Sequence, residues 1–468
     1  METIFIEQWL HDIIRQKVND DPEYRRFTGR DRISRITRAD IDRYHLFKLR
    51  KALAYVYEKS VFYRDLFDHN SIKPDSVSSL ADLARIPFTS PADLAAHPYN
   101  FACVSLGEME RVTTFTSSGT TGPQKRVFFS QNDLETMTDF MAAAMKTVAK
   151  EGDVVQIMLP SLRPNDQADL LAKGVTKMGG VPIITGTAPT SEAQLKVVDE
   201  SHPAVLFASV SRMYRITQET KNRHDLKAKG VKTVFVTSEY LSDSMRKQLQ
   251  DIWGCDVHSH YGMTEMGLGV AIDCHAHDGY HFNEADILVE VIDPVTGAVL
   301  PDGEEGELVF TALSLEGTPL IRYCTHDISR LIARPCACGA STLKRIAPVN
   351  RRLEAIVKVG KQDDLYPALF DELIFSIPDV TDYQLNLSQQ GNQDRLLFRV
   401  ESAQQNADFG NTVSRAIAGH PLIKRNVAAA TMAPPEIELV SPGTLVRLTR
   451  AKKLIIDERK EKTSHTGG

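Results

Sequence analysis

The chain has no run approaching the roughly 20 apolar residues that cross a bilayer, so no membrane partner is expected. Charge of one sign is not in excess either: a net −6 over 468 residues gives no field for collecting nucleic acid. The opening METIFIEQWLHDIIRQKVND carries an acid at its second residue and has no apolar core followed by a small-residue cleavage site. No signal peptide is read there, and the expected location is the cytoplasm. Six cysteines are too few to staple so long a chain. Cys336 and Cys338 stand one residue apart, a poor spacing for a mutual disulfide but a good one for sharing a metal. Internal repeats and low-complexity tracts are also missing.

What remains is an ordinary globular composition, 42% hydrophobic and 25% charged, on a chain long enough for two or three domains. The first hundred residues read as mainly helical. DIDRYHLFKLRKALAYVYEKSVFYRDLF places Leu46, Leu49, Leu53 and Val56 at helical spacing. IPFTSPADL predicts a turn into a helix, with Ser90 as N-cap and Pro91 at the first helical position. From about residue 110 short apolar runs (DVVQIML, GVPIITG, AVLFAS, KTVFVTS) alternate with helical stretches, an α/β pattern with buried parallel strands and crossover helices. Residues 286–334 predict a hairpin-rich β section with turns at 294–297 and 301–303. A smaller α+β section follows Asn350, ending in a frayed HTGG.

Three motifs carry chemistry. TTFTSSGTTGPQK (113–125) mixes small hydroxyl residues with glycines and ends on a lysine. Backbone N–H groups and hydroxyls of such a loop can close around polyphosphate oxygens. It is not the Walker spacing, and the same composition also suits a plain polar surface loop. SHYGMTE (259–265) follows a predicted strand. Its tyrosine can stack on an adenine, its threonine can bind a phosphate and its glutamate can hold magnesium; an incidental polar turn is the alternative. IRYCTHD (321–327) ends on an aspartate that can accept both ribose hydroxyls, or else be a solvated loop carboxylate.

In this order and spacing the three motifs resemble the adenylate-forming superfamily of acyl-CoA synthetases, adenylation domains and luciferases. LRKALAYVYEKSVFYRDLF, IPFTSPADL, YGMTEMGLGVAIDC, ILVEVIDPVTGAVLPDGEEGELVFTAL, CACG and PGTLVRLTRAKKLIIDERK narrow the resemblance to the phenylacetate–CoA ligase branch, over nearly the whole chain. The resemblance implies an α/β fold. Residues 1–349 would form a large ATP- and acid-binding domain with α/β subdomains and a β section, and residues 350–468 a small mobile α+β domain. It implies an AMP-forming ligase that converts an aryl or small organic acid with ATP to an acyl-adenylate, then to a CoA thioester. The alternatives are an enzyme that loads a carrier-protein thiol, and a catalytically impaired nucleotide-binding regulator. The sequence leaves the oligomeric state open, a homodimer being one option.

Carried over position by position, the resemblance makes Ser117, Ser118, Gly119, Thr120, Thr121, Gly122 and Lys125 the phosphate loop. Ser238, Glu239 and Tyr240 line the adenine pocket, Tyr261 stacks on adenine, and Gly262 belongs to the same nucleotide-binding motif. Thr264 contacts the α-phosphate and Glu265 binds Mg2+. Asp327 holds the ribose, and Arg351 begins the interdomain hinge. The branch also has a Cys followed seven residues later by a His, which here are Cys274 and His281. With Cys336 and Cys338 they predict a closed structural Zn2+ site, with His275 and His277 as substitutes for His281.

Four positions depart from the pattern. Tyr323-Cys-Thr-His-Asp327 stands where Tyr-Arg-Thr-Gly-Asp is usual. Asn350-Arg-Arg-Leu-Glu354 puts Leu353 at the pivot aspartate. Arg163-Pro-Asn-Asp-Gln167 replaces an aromatic followed by small residues in the substrate region, which suits a smaller or more polar acid. Counting from PGTL to IID places Ala451 at the adenylation lysine, so a one-residue slip makes Lys452 the expected catalytic lysine.

Overall fold

The computed structural model describes residues 5–115, 124–187, 190–445 and 455–459. They form two compact units. The first comprises residues 1–186, 203–207 and 258–348; the second comprises 187–202, 208–257 and 349–468.

The first unit begins with helices whose stripes and caps are readable in the sequence. Helix Phe5–Asp20 buries Ile6, Leu10, Ile14 and Val18, four positions at i, i+4 spacing. Helix Arg38–Lys59 starts at a Thr37/Asp40 capping box and buries Leu49, Leu53 and Val56, while Leu46 is only half buried. The expected single helical run breaks at Ser60, whose hydroxyl accepts from the Tyr63 N–H and caps a second helix, Val61–His69. Ser90 caps helix Pro91–Ala96 through a capping box with Asp93.

These helices are tied to the distant end of the unit. The Glu7 carboxylate accepts the Ser341 and Thr342 N–H groups at 2.9 and 2.7 Å. Arg38 pairs with buried Glu284 at 2.5 Å.

Strand Val154–Ile157 pairs in parallel with Val181–Ile184 on one side and with residues 205–207 on the other. Beyond residue 258 the pairing turns antiparallel. His260 opposes Ile272, Ile272 opposes His281, and His281 opposes Arg345. Ile287–Ile292, Gly306–Ala312 and Tyr323–Ser329 form an antiparallel meander. Its turns hold Gly297 and Gly303 at φ 72° and 97°, backbone that favours glycine.

In the second unit, strand Thr233–Thr237 is wholly buried. Helices Ser191–Ser201, Val210–Thr220 and Asp243–Trp253 belong with it. Strands Val380–Gln390 and Gln393–Ser402 form a long hairpin, flanked in parallel by Ile455–Asp457 and Glu436–Val440. Glu401, fully buried, accepts the Gly443 and Leu445 N–H groups at 3.0 and 2.7 Å and pairs with Arg215, so the PGTL turn is held by one carboxylate.

Arg322 is held on several sides within the first unit. It is 2% exposed, and its own backbone lies at φ 49°. Its guanidinium grips both oxygens of Glu290 at 3.0 Å and donates to the carbonyls of Ala84 and Ile86 at 3.1 and 2.6 Å. The Phe88 ring lies 4.1 Å away. Truncating it leaves the Glu290 carboxylate, only 12% exposed, without its partner. Arg322→Ala is therefore expected to cost about 3–5 kcal/mol of stability, read from the denaturant midpoint of the first unfolding transition. A shift no larger than that of a surface substitution would refute this account. Arg322→Lys should not restore the loss, because a point charge cannot replace the bidentate fork.

Candidate functional site

Strand Asp256–Tyr261 ends in a turn, Thr264–Met266, that carries Glu265 into the interior. Gly262 permits that turn: a Cβ there would stand 2.7 Å from the Leu268 carbonyl oxygen. Strand Tyr323–Ser329 supplies the facing side chains. Two linked polar groups result.

In the first, the Lys125 ammonium lies 2.5 Å from Glu265 Oε1. The Tyr323 hydroxyl donates to that same oxygen at 2.9 Å and accepts from Lys125 at 3.3 Å. Lys125 also sits 5.0 Å from the Phe115 ring centroid. Lys125 and Glu265 are each only 6% exposed, so neither charge is left to water. Tyr323 was in a recognised motif but had no assigned role; its position at the start of the strand was the only signal.

In the second, the Tyr261 hydroxyl donates to Asp327 Oδ2 at 2.6 Å. The Asp327 N–H donates to the Thr325 hydroxyl at 3.0 Å, and that hydroxyl donates to the Leu308 carbonyl at 2.8 Å. His326, between them, has φ 62° and donates its N–H to Glu307 at 2.8 Å. This explains one departure from the expected pattern. The position calls for left-handed backbone, which glycine takes freely and which histidine tolerates better than most other residues.

Ser238, Glu239 and Tyr240 lie in the second unit, just beyond strand Thr233–Thr237. Ser238 has φ 75°, Glu239 accepts the Ser211 N–H at 2.7 Å, and the Tyr240 hydroxyl donates to Glu372 at 3.3 Å. Arg351, in the same unit, lies 5.7 Å from the Tyr366 ring. Ser117, Ser118, Gly119, Thr120, Thr121, Gly122 and Lys452 lie outside the described residues.

A third group gathers Cys274, His281, Cys336 and Cys338. All four are buried, and their donor atoms lie within 4.8 Å of one another. Cys274 Sγ is 3.7 Å from Cys336 Sγ, and Cys338 Sγ is 3.3 Å from His281 Nε2. A disulfide needs about 2.05 Å, so the sulfurs are not bonded. Four tetrahedral ligands about 2.3 Å from a common centre stand about 3.8 Å apart, close to the sulfur spacing found. The Cys336–Ala340 turn closes on itself through Cys336 N–H to Ala340 O and Gly339 N–H to Cys336 O, both 3.0 Å. The Cys274 thiol is pushed up to about 12, first by its hydrogen bond with Cys338 and then by burial. Burial works to lower His281, yet hydrogen bonds to Cys274 and Cys336 carry it up to about 9. His275 is not in the group. His277 lies in a neighbouring one with His258 and Asp273.

Residues 57–315 match the AMP-binding enzyme family, and residues 363–459 match the AMP-binding enzyme C-terminal domain. A phenylacetate-coenzyme A ligase of Thermus thermophilus is 30% identical over 76% of this chain and 80% of its own. One of Aromatoleum evansii is 29% identical over 91% and 96%. Among solved structures, 2-hydroxyisobutyryl-CoA ligase in complex with 2-HIB-AMP superposes with a TM-score of 0.78 at 20% identity, over 91% of both chains.

The Lys125–Glu265 pair makes its own prediction. Lys125→Met strands a buried carboxylate and should cost about 3–5 kcal/mol, whereas adding Glu265→Gln should recover most of it. Denaturant unfolding of both variants checks this. Equal losses in the single and double variants would mean the two charges are not coupled.

Proposed function

The chain belongs to the AMP-binding enzyme family, and from that premise we propose how its residues divide the work of an AMP-forming acid–CoA ligase. It activates a carboxylic acid with ATP to an acyl-adenylate and passes the acyl group to CoA. The observation that carries the reading is the site itself. A lysine–glutamate–tyrosine cluster and a tyrosine–aspartate pair, drawn together from all three family motifs, lie in one unit. The relatives' names make an aryl acid the first class to try. Arg163 to Gln167 favour a smaller or more polar one. A cytoplasmic location belongs to the same reading.

Asp327 accepts the ribose hydroxyls, with Tyr261 holding its carboxylate in place while the ring face meets the adenine. Ser238, Glu239 and Tyr240 line the base pocket. Lys125 and the loop from Ser117 to Gly122 hold the polyphosphate, and Thr264 contacts the α-phosphate. Glu265 is a hard carboxylate at the place where Mg2+ would be held together with phosphate oxygens. A bound Mg2+ supplies charge neutralisation on those oxygens. Residues 350–468, entered through Arg351, would be the mobile domain, and Lys452 would bridge acid carboxylate and phosphate. Cys274, His281, Cys336 and Cys338 would hold one Zn2+. Their three sulfurs and one imidazole fit a closed site that supplies folding energy and no open position for chemistry.

A pyrophosphate-exchange assay over a panel of acids tests the activity, followed by thioester formation with CoA or a phosphopantetheinyl carrier. Asp327→Ala should raise KM for ATP about tenfold to a hundredfold with kcat kept, since ribose contacts act as uniform binding. Glu265→Ala should instead lower kcat by about a hundredfold or more. Lys452→Ala should abolish exchange yet spare thioester formation from a supplied acyl-adenylate. Unchanged kinetics in any of the three would remove that residue's role, and exchange with no acid at all would favour an impaired regulator. At least one equivalent of zinc per chain is expected by elemental analysis, one equivalent being lost with Cys338→Ser together with a fall in melting temperature. Zinc-free protein of full stability would overturn the metal assignment.

A further inference from the structure

Beside the cysteine cluster lies a second set of donors that the ligase reaction does not use. His258, Asp273 and His277 have donor atoms within 4.8 Å of one another. His258 Nδ1 is 3.1 Å from Asp273 Oδ1, and His277 Nδ1 is 3.1 Å from Asp273 Oδ2. Each imidazole thus presents the same ring nitrogen to a different oxygen of one carboxylate. The two rings are inclined at 60°, with centroids 5.1 Å apart, so they flank the carboxylate and do not stack.

The backbone holds this arrangement from three sides. His258 lies on strand Asp256–Tyr261, and Asp273 ends the neighbouring antiparallel strand. The Ser259 N–H donates to Asp273 Oδ1 at 2.9 Å and fixes the carboxylate plane. His277 reaches back over the turn that begins at Cys274. Its N–H donates to the Cys274 carbonyl at 2.8 Å, and its φ of 47° is the left-handed backbone that turns the ring toward Asp273.

We infer that His258, Asp273 and His277 form a second metal site, taking a first-row divalent transition ion such as Zn2+ or Co2+. Metal–ligand distances of about 2.1 Å put neighbouring ligands about 3.0 Å apart at right angles and about 3.4 Å apart at tetrahedral angles. The two spacings found, 3.1 Å from each nitrogen to its own oxygen of Asp273, fall between these limits, so the carboxylate would hold the ion through both oxygens. Binding needs only that each neutral imidazole carry its proton on Nε2, leaving Nδ1 bare. Two imidazoles and a carboxylate suit zinc, cobalt, nickel or iron, and disfavour the all-oxygen ions magnesium and calcium. The side chains of His258 and Asp273 are 5% and 2% exposed, but His277 is 22% exposed, so an ion enters from its side. With three protein ligands the coordination sphere is incomplete. This ion is expected to exchange faster than one in the closed cysteine site.

The donor sets give the test two independent signatures. Full-length protein stripped with chelator is titrated with Co2+, following absorbance and bound metal by elemental analysis after dialysis. Thiolate ligands give an intense sulfur-to-cobalt band; imidazole and carboxylate give only weak visible bands. Wild type is expected to take two equivalents, one with the intense band and one without. His277→Ala and Asp273→Asn should each lose the second equivalent and keep the intense band, which also reports that the fold around Cys274 survives. A single equivalent with the intense band in wild type would overturn the second site and leave the cysteine site standing. So would a second equivalent that persists in both variants. Conversely, a single equivalent without that band, lost in His277→Ala, would uphold the second site and sink the cysteine one.

Discussion

The structure of the first unit depends on one buried guanidinium. Arg322 joins Glu290 on the meander to the carbonyls of Ala84 and Ile86, and Thr89, just downstream, donates its N–H to the Arg322 carbonyl at 2.9 Å. Three stretches that are far apart in sequence are thereby fixed at one point. The next residue is Tyr323, and Asp327 follows four further on along the same strand. Both site groups therefore inherit their positions from a residue that touches neither Glu265 nor Tyr261. A charge so deeply buried is tolerable only because its donors are matched by a carboxylate and two carbonyls.

The same reasoning sets the resting state of the site. Glu265 is not idle: it neutralises Lys125 and takes the Tyr323 hydroxyl. Under the proposed function, a phosphate entering here would replace one partner of a pair already desolvated. The lysine would then pass from one anion to another, its polar neighbours already oriented, as an electrostatically preorganised site requires.

Much of this was legible in the sequence because local chemistry and global fold agree. Ser90 with Pro91 announced a capped helix, the turns at Gly297 and Gly303 announced a meander, and the Cys274/His281/Cys336/Cys338 set is brought together as the resemblance implied. What was not legible depends on tertiary context. The helical run from residue 40 reads as continuous, yet Ser60 breaks it by offering its hydroxyl to the Tyr63 N–H, a choice that periodicity does not encode. His326 is a departure from the expected Tyr-Arg-Thr-Gly-Asp pattern, yet its positive φ shows left-handed backbone where that pattern has glycine. Tyr323 and the His258–Asp273–His277 group were silent because their partners lie on other strands. For His258 and Asp273 a separation of fifteen positions gives no spacing rule.

Glu7 is bonded to Thr342 across 335 positions of chain. Glu7 is therefore made 335 residues before the Thr342 N–H that it accepts. At about 5–20 residues per second, the first helix waits on the order of twenty seconds to a minute before the Cys336–Ala340 knuckle can dock beside it. Over that interval the helix has Gln131–Met145 to pack on, with the Trp9 ring 5.8 Å from that of Phe140, but lacks the segment that anchors its carboxylate. The anchor of this helix is thus among the last contacts of the unit to be sealed during synthesis.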